Sequence, residues 1–584
     1  MHLNKPLLFV FCFALLGVSG ALMFGYPAGH SSYLNILWAQ QFADQFWSGI
    51  LYPRWLSHSI EGFGAPTFFY YPPLPFWWAA LFQPLVPVET EAWETLRLAA
   101  SAVALLAGVS CYYWLRNLTK SPTAAVFGAS LYALAPYQLS INFFMRTAYA
   151  EYFAAAVFPL VLLAAKRAST GSHKALLALA AAYAALIFSH LPTIVMVSIF
   201  PALMPLFFAE KGQRLKSCIR VWAAMMLGIG LAAIYLVPAL FSQHLIDADN
   251  LWTDFYDYQQ WFLFSGITHL TNGKKIPSII ATNEHILLGC SLVVLFYGGL
   301  LFLRRKQYAI AGNSLAFAAM LCIVCGLMTT HAAAFVWEML PLLQKVQFPY
   351  RFLGGFEAGA VSILALGYAM LEKTTPPRAQ QKWFGAEVQW VLPAVLLGYV
   401  FVTRLEHVAA SKHDRLTSVY TVKARQGVEP PEYGTIYTDD DYTKEIVGFT
   451  GDEKQPFHYP FLHTLPEKAR VTEGDSAITV KRWNPPESII LDVASKEGAV
   501  IQLHQFYFPI WSVVLTSPVG ETVSLSARPS AHTGLLEFSL PPRSEGIVTV
   551  TRISLPLERL AQRVSLAALL LWGIGWIHAA RRRG

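Results

Sequence analysis

Residues 25–78 read GYPAGHSSYLNILWAQQFADQFWSGILYPRWLSHSIEGFGAPTFFYYPPLPFWW. The stretch follows an apolar segment and holds three charged residues, but its many Gly, Pro, Trp and Tyr residues are not typical of a membrane helix. Ordering such an irregular segment costs conformational entropy, and long loops retained in compact proteins are usually functional. We therefore predict that residues 25–78 form a functional first loop at the outer face of a membrane, held in place by the other helices.

The composition indicates an integral membrane protein. The 584-residue chain contains 55% hydrophobic and 14% charged residues, whereas soluble domains carry about 25% charged residues. The formal net charge of +7 is explained by the excess of Lys and Arg that membrane proteins carry in their cytoplasmic loops. The charge therefore gives no reason to predict nucleic-acid binding, and membrane lipids are the expected surroundings.

No metal or cofactor site is predicted. The six cysteines lie in or beside apolar segments, and none lies in the polar region after residue 404. Cys322 and Cys325 have the spacing of a redox or zinc motif, but no His or second Cys pair accompanies them, so packing in a helix is favoured. Motifs of phosphate-binding loops, zinc hydrolases and nucleophilic serines are lacking. A requirement for a divalent metal is left open.

Segments of about 20 apolar residues can cross a bilayer, and the sequence contains about twelve. They are residues 6–24, 95–115, 122–140, 150–165, 174–189, 192–209, 220–241, 284–303, 309–328, 349–371, 385–403 and 563–580. The clusters of Lys and Arg all fall on one side, the cytoplasmic side, if residues 72–88 stay outside as an interfacial or re-entrant helix. Both termini are then cytoplasmic. The first segment lacks a clear cleavage site, so we interpret it as an uncleaved helix rather than a signal peptide.

The composition changes at residue 404, where short alternating apolar runs such as AITVKRW, SIILDVA and GIVTVTRIS begin. Pro, Gly and Ser bound these runs at regular intervals, which is typical of an antiparallel β-sandwich. We predict a membrane domain at 1–403 with a long first outer loop at 25–94. An extracytoplasmic β-rich domain at 404–561 follows, and a final helix with a basic tail occupies 562–584. The fold class is thus a mostly α, multi-pass membrane protein with an outer β-sandwich-like domain.

Ionisable groups at the outer membrane boundary are candidate site residues, because they are costly there unless paired or hydrated. Arg54 stands between Tyr52 and Trp55 and could bind a phosphate through its planar fork, or simply a lipid head group. Tyr70 and Tyr71 precede a Pro-rich turn. These aromatic residues could form an interfacial belt or a surface on which a sugar or lipid stacks.

Further polar groups lie near later helix ends. If a helix begins near residue 146, Arg146 and Glu151 lie about 140° apart around it and need not pair. The remaining candidates are His190 in the break SHLPT, and His331, Gln347 and Arg351 along a later outer loop. Each could anchor a helix end. If they converge on one outward cavity, they form a substrate-binding site.

The strings PRW, GFGAP and YYPPLP in the first loop resemble a family of bacterial membrane proteins named for a 6-pyruvoyl-tetrahydropterin synthase-related domain. The later segments MRTAYAE, SHLPT, IYLVPAL, WEMLPLLQKVQFPYRF and FYFPIWSVVL are similar to that family too, so the resemblance extends from about residue 25 to 520. It implies an architecture like that of GT-C glycosyltransferases, which transfer sugars from polyprenyl-phosphate carriers. Pterin synthase chemistry is not implied, because nothing here resembles the His cluster of that soluble zinc fold.

The resemblance also implies roles for single residues. Arg54, Arg146 and Arg351 would hold phosphate, and an acidic residue of the first loop would act as general base. Ser31 occupies that acidic position here, and Asn35 replaces an expected His. The candidate bases are therefore His30, Asp44 and Glu61.

Two hypotheses follow for a protein of the bacterial inner membrane. In the first, it transfers a sugar from a polyprenyl-phosphate carrier to an envelope glycan or lipid at the outer face, and the β domain recognises the acceptor. In the second, it binds or transports a lipid-linked glycan for envelope polysaccharide assembly without catalysis.

Overall fold

The computed structural model describes residues 5–60, 62–87, 93–248, 256–265, 276–304, 312–374, 394–399, 435–437, 468–531 and 533–581. Most of these residues are helical, and a smaller β-rich part precedes the last helix. The predicted base Glu61 and the predicted segment 385–403, apart from residues 394–399, lie outside the described residues.

Apolar residues dominate the helices of the membrane part. The α-helices are α1 (Lys5–Phe24), α2 (Ser32–Trp47), α3 (Thr67–Tyr70), α4 (Leu74–Ala80), α5 (Trp93–Thr119), α6 (Pro122–Ala133), α7 (Tyr149–Ser169), α8 (His173–Ser189), α9 (Leu191–Val197), α10 (Ile199–Phe208), α11 (Arg214–Leu231), α12 (Ala233–Phe241), α13 (Ile276–Arg304), α14 (Gly312–Met328), α15 (Ala334–Met339), α16 (Pro341–Gln344), α17 (Leu353–Thr374) and α18 (Pro556–Arg581). A π-helix, Tyr137–Met145, lies between α6 and α7.

Eight helical segments in the described ranges are long and apolar enough to cross a membrane. They are Pro6–Phe24, Trp93–Thr119, Pro122–Met145, Tyr149–Ser169, Leu191–Phe208, Ile279–Gly299, Pro349–Glu372 and Pro556–Arg581. α8 and α14 are apolar but shorter. α4, within the predicted interfacial segment, has seven residues, which is far fewer than a membrane span requires. The prediction of a multi-pass membrane protein is confirmed.

The predicted span 220–241 is not one straight helix. α11 and α12 bend by 75° at Ala232. The Ile234 N–H donates to Ser565 Oγ of α18 at 2.8 Å, and that hydroxyl in turn donates to Leu231 O at 3.0 Å. Arg54 Nη2 donates to Ile234 O at 2.6 Å. A break at membrane depth is tolerated because neighbouring side chains satisfy the freed backbone groups.

Two antiparallel sheets form the β-rich part, as the alternating apolar runs predict. The strands are β1 (Ala469–Gly474), β2 (Ala477–Asn484), β3 (Ser488–Ser495), β4 (Ala499–Phe506), β5 (Trp511–Thr516), β6 (Thr522–Leu525), β7 (Arg528–Pro529), β8 (Leu535–Leu540) and β9 (Ser544–Arg552). One sheet has the order β1-β4-β8-β7 and the other β2-β3-β9-β5-β6. Buried residues alternate along β5 and β9 of the second sheet, which gives that sheet one apolar face.

The first loop and the β-rich part share one hydrophobic core. Trp55 is fully buried among β-domain residues, and its Nε1 donates to Gln505 Oε1 at 3.0 Å. The Phe63 ring stacks on His504 with centroids 3.8 Å apart. Gly64 has φ +83°, and a Cβ there would lie 2.4 Å from Trp55 Nε1, so the turn requires glycine. The middle of the first loop, at Trp55 and Phe63, therefore packs in one core with the strands of the β-rich part.

A buried ion-pair cluster joins the first loop to the start of α18. Arg54 Nε lies 3.2 Å from Glu558 Oε1, and Arg552 Nη2 lies 2.5 Å from the same oxygen. Arg54 is 4% exposed and Glu558 is fully buried. The Arg54 guanidinium also stacks over the Tyr52 ring at 4.2 Å. The sequence suggested a phosphate ligand at Arg54, but in the structure its side chain is held by a carboxylate of the same chain.

We expect Glu558→Gln to lower the free energy of unfolding by about 3 kcal/mol, because it leaves two guanidinium groups without their shared counter-charge in a dry site. Thermal and denaturant unfolding of the purified protein, followed by tryptophan fluorescence, measures the loss. The matched control is Glu537→Gln. Glu537 pairs with Arg528, whose side chain is half exposed, and such surface pairs contribute about 0–1 kcal/mol. Equal losses for the two variants would contradict a special role for the buried cluster.

Candidate functional site

One carboxylate and two guanidinium groups meet at the ends of three membrane-spanning segments. Arg146 Nη1 lies 2.9 Å from Glu151 Oε2, and Arg351 Nε lies 3.2 Å from the same oxygen. All three residues are buried. The Tyr137 hydroxyl donates to the other carboxylate oxygen, Oε1, at 2.5 Å, and Asn142 Nδ2 lies 3.3 Å from it. We call Glu151, Arg146, Arg351, Tyr137 and Asn142 the arginine cluster.

Two helices of different type position the first part of this cluster. The π-helix ends at Met145, and α7 begins at Tyr149. Thr147 lies between them with φ +51°, a conformation that a β-branched residue rarely adopts and that tends to occur at functional sites. Because Arg146 and Glu151 lie on separate elements, the angle calculated for a single helix does not apply to them. They pair directly, which corrects the interpretation that they need not.

Arg351 comes from the turn before α17. Its Nη1 donates to Val346 O at 2.6 Å and to Gln347 Oε1 at 3.3 Å. Gln347 has φ +69°, so the chain is also held in an unfavourable conformation on this side of the cluster. The Phe348 ring lies 4.7 Å from the Arg351 guanidinium and 5.4 Å from that of Arg146. This aromatic face contributes cation–π attraction to both cations.

The cluster carries a net positive charge of one. Arg146 and Arg351 contribute two positive charges, and Glu151 contributes one negative charge. Burial alone would lower the pKa of Arg146, but Tyr350 and Glu151 beside it outweigh that effect and raise the pKa. Burial lowers the pKa of nearby His190 to about 3, so this imidazole is neutral at physiological pH. A single anionic ligand would therefore neutralise the site.

Several donors of the two arginines have no protein partner. Arg146 forms its hydrogen bonds and its ion pair through Nη1. Arg351 forms its hydrogen bonds through Nη1. Its Nε lies 3.2 Å from Glu151 Oε2 in the ion pair but has no hydrogen-bond partner among the described residues. In the part of the chain that the structure describes, Nη2 of both residues and Nε of Arg146 donate no hydrogen bond to protein. Guanidinium N–H groups in this state are available to a carboxylate or phosphate oxygen.

A small cavity of about 20 Å³ adjoins the cluster. Its lining includes Gln138, Glu151, Thr193 and Arg351. A cavity of this size has room for about one water molecule. The Thr193 hydroxyl lies 2.8 Å from His190 Nδ1, so the break SHLPT supplies polar groups to the cavity wall, as expected if this break lies at a site.

The start of the first loop packs directly on the backbone of the arginine cluster. The His30 N–H donates to Met145 O at 3.1 Å, and the Ser31 N–H donates to Arg146 O at 2.9 Å. Asn35 Nδ2 donates to Thr147 O at 2.8 Å. The His30 side chain is exposed. His30 is therefore the candidate base that the structure brings next to the cluster.

Tyr71, in the later part of the first loop, lies near the charged groups of the arginine cluster. Burial raises its pKa to about 12, an effect opposed by the charges of Arg351 and Arg146. Its ring contacts Trp38 with centroids 4.6 Å apart. Tyr70 points elsewhere, because its hydroxyl donates to Ser242 O at 2.8 Å. The two adjacent tyrosines thus face different parts of the molecule.

The other predicted site residues do not join the cluster. Asp44 is exposed on α2 and accepts hydrogen bonds from Gln40 and Gln83. It is nine residues beyond Asn35, which corresponds to about 13 Å along the helix axis. Trp55 lies in the β-domain core. Arg54 is paired with Glu558. The remaining residue, His331, is exposed, and its ring packs edge-on against Phe262 at 5.7 Å.

Sequence reasoning missed Tyr137, Asn142 and Phe348. Tyr137 and Asn142 lie in an apolar segment that reads as an ordinary span, and a π-helix leaves no sequence signal that distinguishes it from an α-helix. The Gln138–Asn142 spacing in that segment was the available hint, since two amides inside an apolar span are costly unless they are paired. Asn142 Nδ2 in fact donates to Gln138 Oε1 at 3.2 Å.

A model of a known protein family matches this chain. The model of the 6-pyruvoyl-tetrahydropterin synthase related domain, described as a membrane protein, matches residues 68–405. This range is more than half of the chain and contains the whole arginine cluster. No curated protein matches the chain.

Solved structures of one enzyme are similar to this chain. They are the oligosaccharyltransferase of Archaeoglobus fulgidus tethered to an acceptor peptide containing the NVT sequon (12% identity, TM-score 0.39), its apo form (15%, 0.38) and its complex with Zn and sulfate (14%, 0.31). Each alignment covers 78% of this chain and 58%, 61% and 59% of the respective structure. The chain thus spans about three fifths of the length of the structures it matches. Scores and identities this low establish neither a shared fold nor a shared activity.

The buried imidazole next to the cluster predicts a loss of stability in acid. Burial is the main cause of the lowered pKa of His190, Arg351 and Arg146 act in the same direction, and Glu151 opposes them. An unfolded His has a pKa near 6.5, so below about pH 6.5 the unfolded state binds an extra proton that the folded state excludes. The stabilisation is complete above pH 6.5 and is lost as the pH falls.

We therefore expect the free energy of unfolding to fall by about 1 kcal/mol as the pH is lowered from about 7.5 to about 5.5, because the unfolded state then takes up a proton at His190. In His190→Asn this part of the pH dependence disappears. Unfolding of both proteins at the two pH values measures the difference, with the exposed His331→Asn as control. The same pH dependence in His190→Asn and wild type would contradict the assignment.

Proposed function

We propose that this chain, which belongs to the family of membrane proteins with a 6-pyruvoyl-tetrahydropterin synthase related domain, moves a sugar from a polyprenyl-phosphate carrier to an envelope glycan or lipid. The reaction takes place at the outer face of the bacterial inner membrane. The observation that carries the proposal is the arginine cluster, in which two buried guanidinium groups share one carboxylate and keep N–H donors that form no hydrogen bond with the described residues.

The charge and chemistry of the cluster fit a phosphodiester. A sugar linked to a polyprenyl chain through one phosphate carries a single negative charge, which balances the net charge of the cluster. Arginine forks bind phosphate oxygens through charge-assisted hydrogen bonds. Glu151 holds Arg146 and Arg351 in place before the ligand arrives, which reduces the entropy lost on binding. Arg54 is left out of this role because Glu558 binds it.

The position of the cluster fits a lipid-borne substrate. Arg146 follows one spanning segment, and Glu151 and Arg351 lie in the first turns of two others. Lys166 and Arg167 lie in the last turn of α7. Because basic residues favour the cytoplasmic side, the opposite end of α7, with the cluster, faces outward. A phosphate at this depth would keep its polyprenyl chain in the bilayer.

We infer the finer architecture from the same pattern. Eight spans, the bent pair α11–α12, the short helices α8 and α14 and the segment 385–403 together make twelve, which returns the C-terminus to the cytoplasm and leaves the β domain outside. This arrangement is GT-C-like. The β domain, which shares a core with the first loop, would present the acceptor to it. Membrane lipids surround the helices.

The general base comes from the first loop. His30 is the leading candidate, because its backbone is bonded to Met145 next to Arg146 and its side chain is exposed. A neutral imidazole can accept the proton of an acceptor hydroxyl. Asp44 and Glu61 remain candidates from the sequence, and Asp44 would have to reach the cluster from about 13 Å along α2.

The second candidate function is binding or transport of a lipid-linked glycan without transfer. The placement of Asp44, together with Ser31 at the family's acidic position, favours it. In that case the arginine cluster binds the phosphate in the same way, and no residue of the first loop is needed as a base.

The test is transfer of labelled sugar from polyprenyl-phosphate donors by the purified full-length protein. We expect Arg146→Gln and Arg351→Gln each to lower transfer about a hundredfold, because loss of one charged partner in a buried site removes about 3 kcal/mol. Arg97→Gln is the matched control. Arg97 is partly buried and paired with Glu94 outside the cluster, and its loss should leave transfer unchanged.

The candidate bases are tested in the same assay with His30→Ala, Asp44→Asn and Glu61→Gln. We expect His30→Ala to reduce transfer most. Unchanged transfer in all three variants would rule out these bases. Binding of polyprenyl phosphate, measured in parallel, separates the two functions. Binding that depends on Arg146 and Arg351 without any transfer supports the second function, and no binding contradicts both.

A further inference from the structure

A second cavity lies within the membrane part, between α6, α13 and α17. Its volume is about 110 Å³, several times that of the cavity beside the arginine cluster. The walls are mainly apolar, and the larger side chains among them are Leu131, Val293, Val294, Val361, Leu364 and Leu396. An apolar cavity of comparable size, about 150 Å³, stays dry and binds benzene in an engineered protein. This cavity therefore has room for a short length of hydrocarbon chain.

Glu357 of α17 places one carboxyl group in this wall. It is 2% exposed. One oxygen, Oε1, accepts the Tyr137 N–H at 2.6 Å. The other oxygen, Oε2, is buried and has no hydrogen-bond partner among the described residues. A buried polar atom without a partner is destabilising by about 1–3 kcal/mol, and such a group in a native protein calls for an explanation.

The cavity adjoins a face of α13 that is open to the surroundings. Leu288, Leu292 and Leu295 on this helix are more than half exposed, as residues that contact lipid chains are. Gly289 lines the cavity and is itself exposed, and a Cβ placed on it would meet no atom within 4 Å. The molecules that can reach the cavity are therefore those dissolved in the bilayer.

We propose that this cavity binds a neutral lipid whose hydrocarbon chain fills the apolar space and whose hydroxyl group hydrogen-bonds to Glu357 Oε2. A hydroxyl supplies the one partner that the structure lacks. A charged head group is disfavoured, because it would lose its water to walls that offer one polar atom. A sugar is excluded on the same ground, since its several hydroxyls would lose water without gaining partners.

The inference does not depend on the proposed glycosyl transfer. In the structure, however, one residue connects the cavity to the arginine cluster. Tyr137 donates its backbone N–H to Glu357 and its hydroxyl to Glu151. A lipid bound at Glu357 therefore contacts the carboxyl group that accepts a hydrogen bond from the first residue of the π-helix, Tyr137.

The experiment uses the full-length protein in detergent micelles and 1-decanol with a photoreactive diazirine in mid-chain. Mass spectrometry maps the labelled residues. We expect labelling of the α13 and α17 walls near Glu357. Unlabelled 1-decanol at about ten times its dissociation constant should reduce this labelling about tenfold, because it then leaves about one site in ten open. The alkane analogue of the same probe, which has no oxygen and cannot hydrogen-bond to Glu357, should label these walls several-fold less.

A pair of variants on one helix tests the position. Gly289→Leu places a side chain at the exposed edge of the cavity lining and should strongly reduce the labelling. Gly299→Leu on the same helix also meets no atom within 4 Å but lies outside the cavity lining, and it should leave labelling unchanged. Unaffected labelling in Gly289→Leu would overturn the site. Equal labelling by the alcohol and the alkane would overturn the hydroxyl contact with Glu357. If Gly289→Leu does not fold, competition by 1-decanol in the unmodified protein decides, and no competition overturns the proposal.

Discussion

The rest of the site depends on the carboxylate of Glu151, which is shared by two arginines. Without it, two guanidinium groups would lie buried side by side, which is strongly unfavourable. Because Arg146 and Arg351 come from different parts of the chain, their shared partner also fixes the ends of three spanning segments relative to one another. The cluster is therefore both an electrostatic site and a joint between helices, and the surplus positive charge is what a ligand can use.

The first loop joins this cluster to the β domain. Its beginning packs on the backbone of Arg146, and its middle, at Trp55 and Phe63, completes the β-domain core. Movement of the β domain therefore acts on the same segment that covers the cluster. The contacts of Trp55 and Phe63 in the β-domain core are apolar and closely packed. Densely packed contacts transmit displacement from one element to the next.

Much of the fold could be predicted because hydropathy and strand alternation are local properties of the sequence. The family was also recognisable, since PRW, GFGAP and SHLPT are short contiguous strings. The partners of the charged residues were not predictable. Arg54 binds Glu558 near the other end of the chain, and no local pattern contains that pairing. Arg146 and Glu151 were misjudged for a different reason, because a π-helix and a strained residue between them replace the single α-helix that their spacing suggests.

The bend at Ala232 has a consequence for biosynthesis. The backbone N–H and C=O of Ile234 beside the bend form hydrogen bonds with Ser565 and Arg54, which are about 500 residues apart in the sequence. The ribosome makes Arg54 about 500 residues before Glu558 and Ser565. The middle of the first loop can therefore complete its contacts only after α18 has been made and has entered the membrane. A chain interrupted before α18 would keep the contacts of His30 and Ser31 with the backbone beside Arg146 but would leave Arg54 without Glu558.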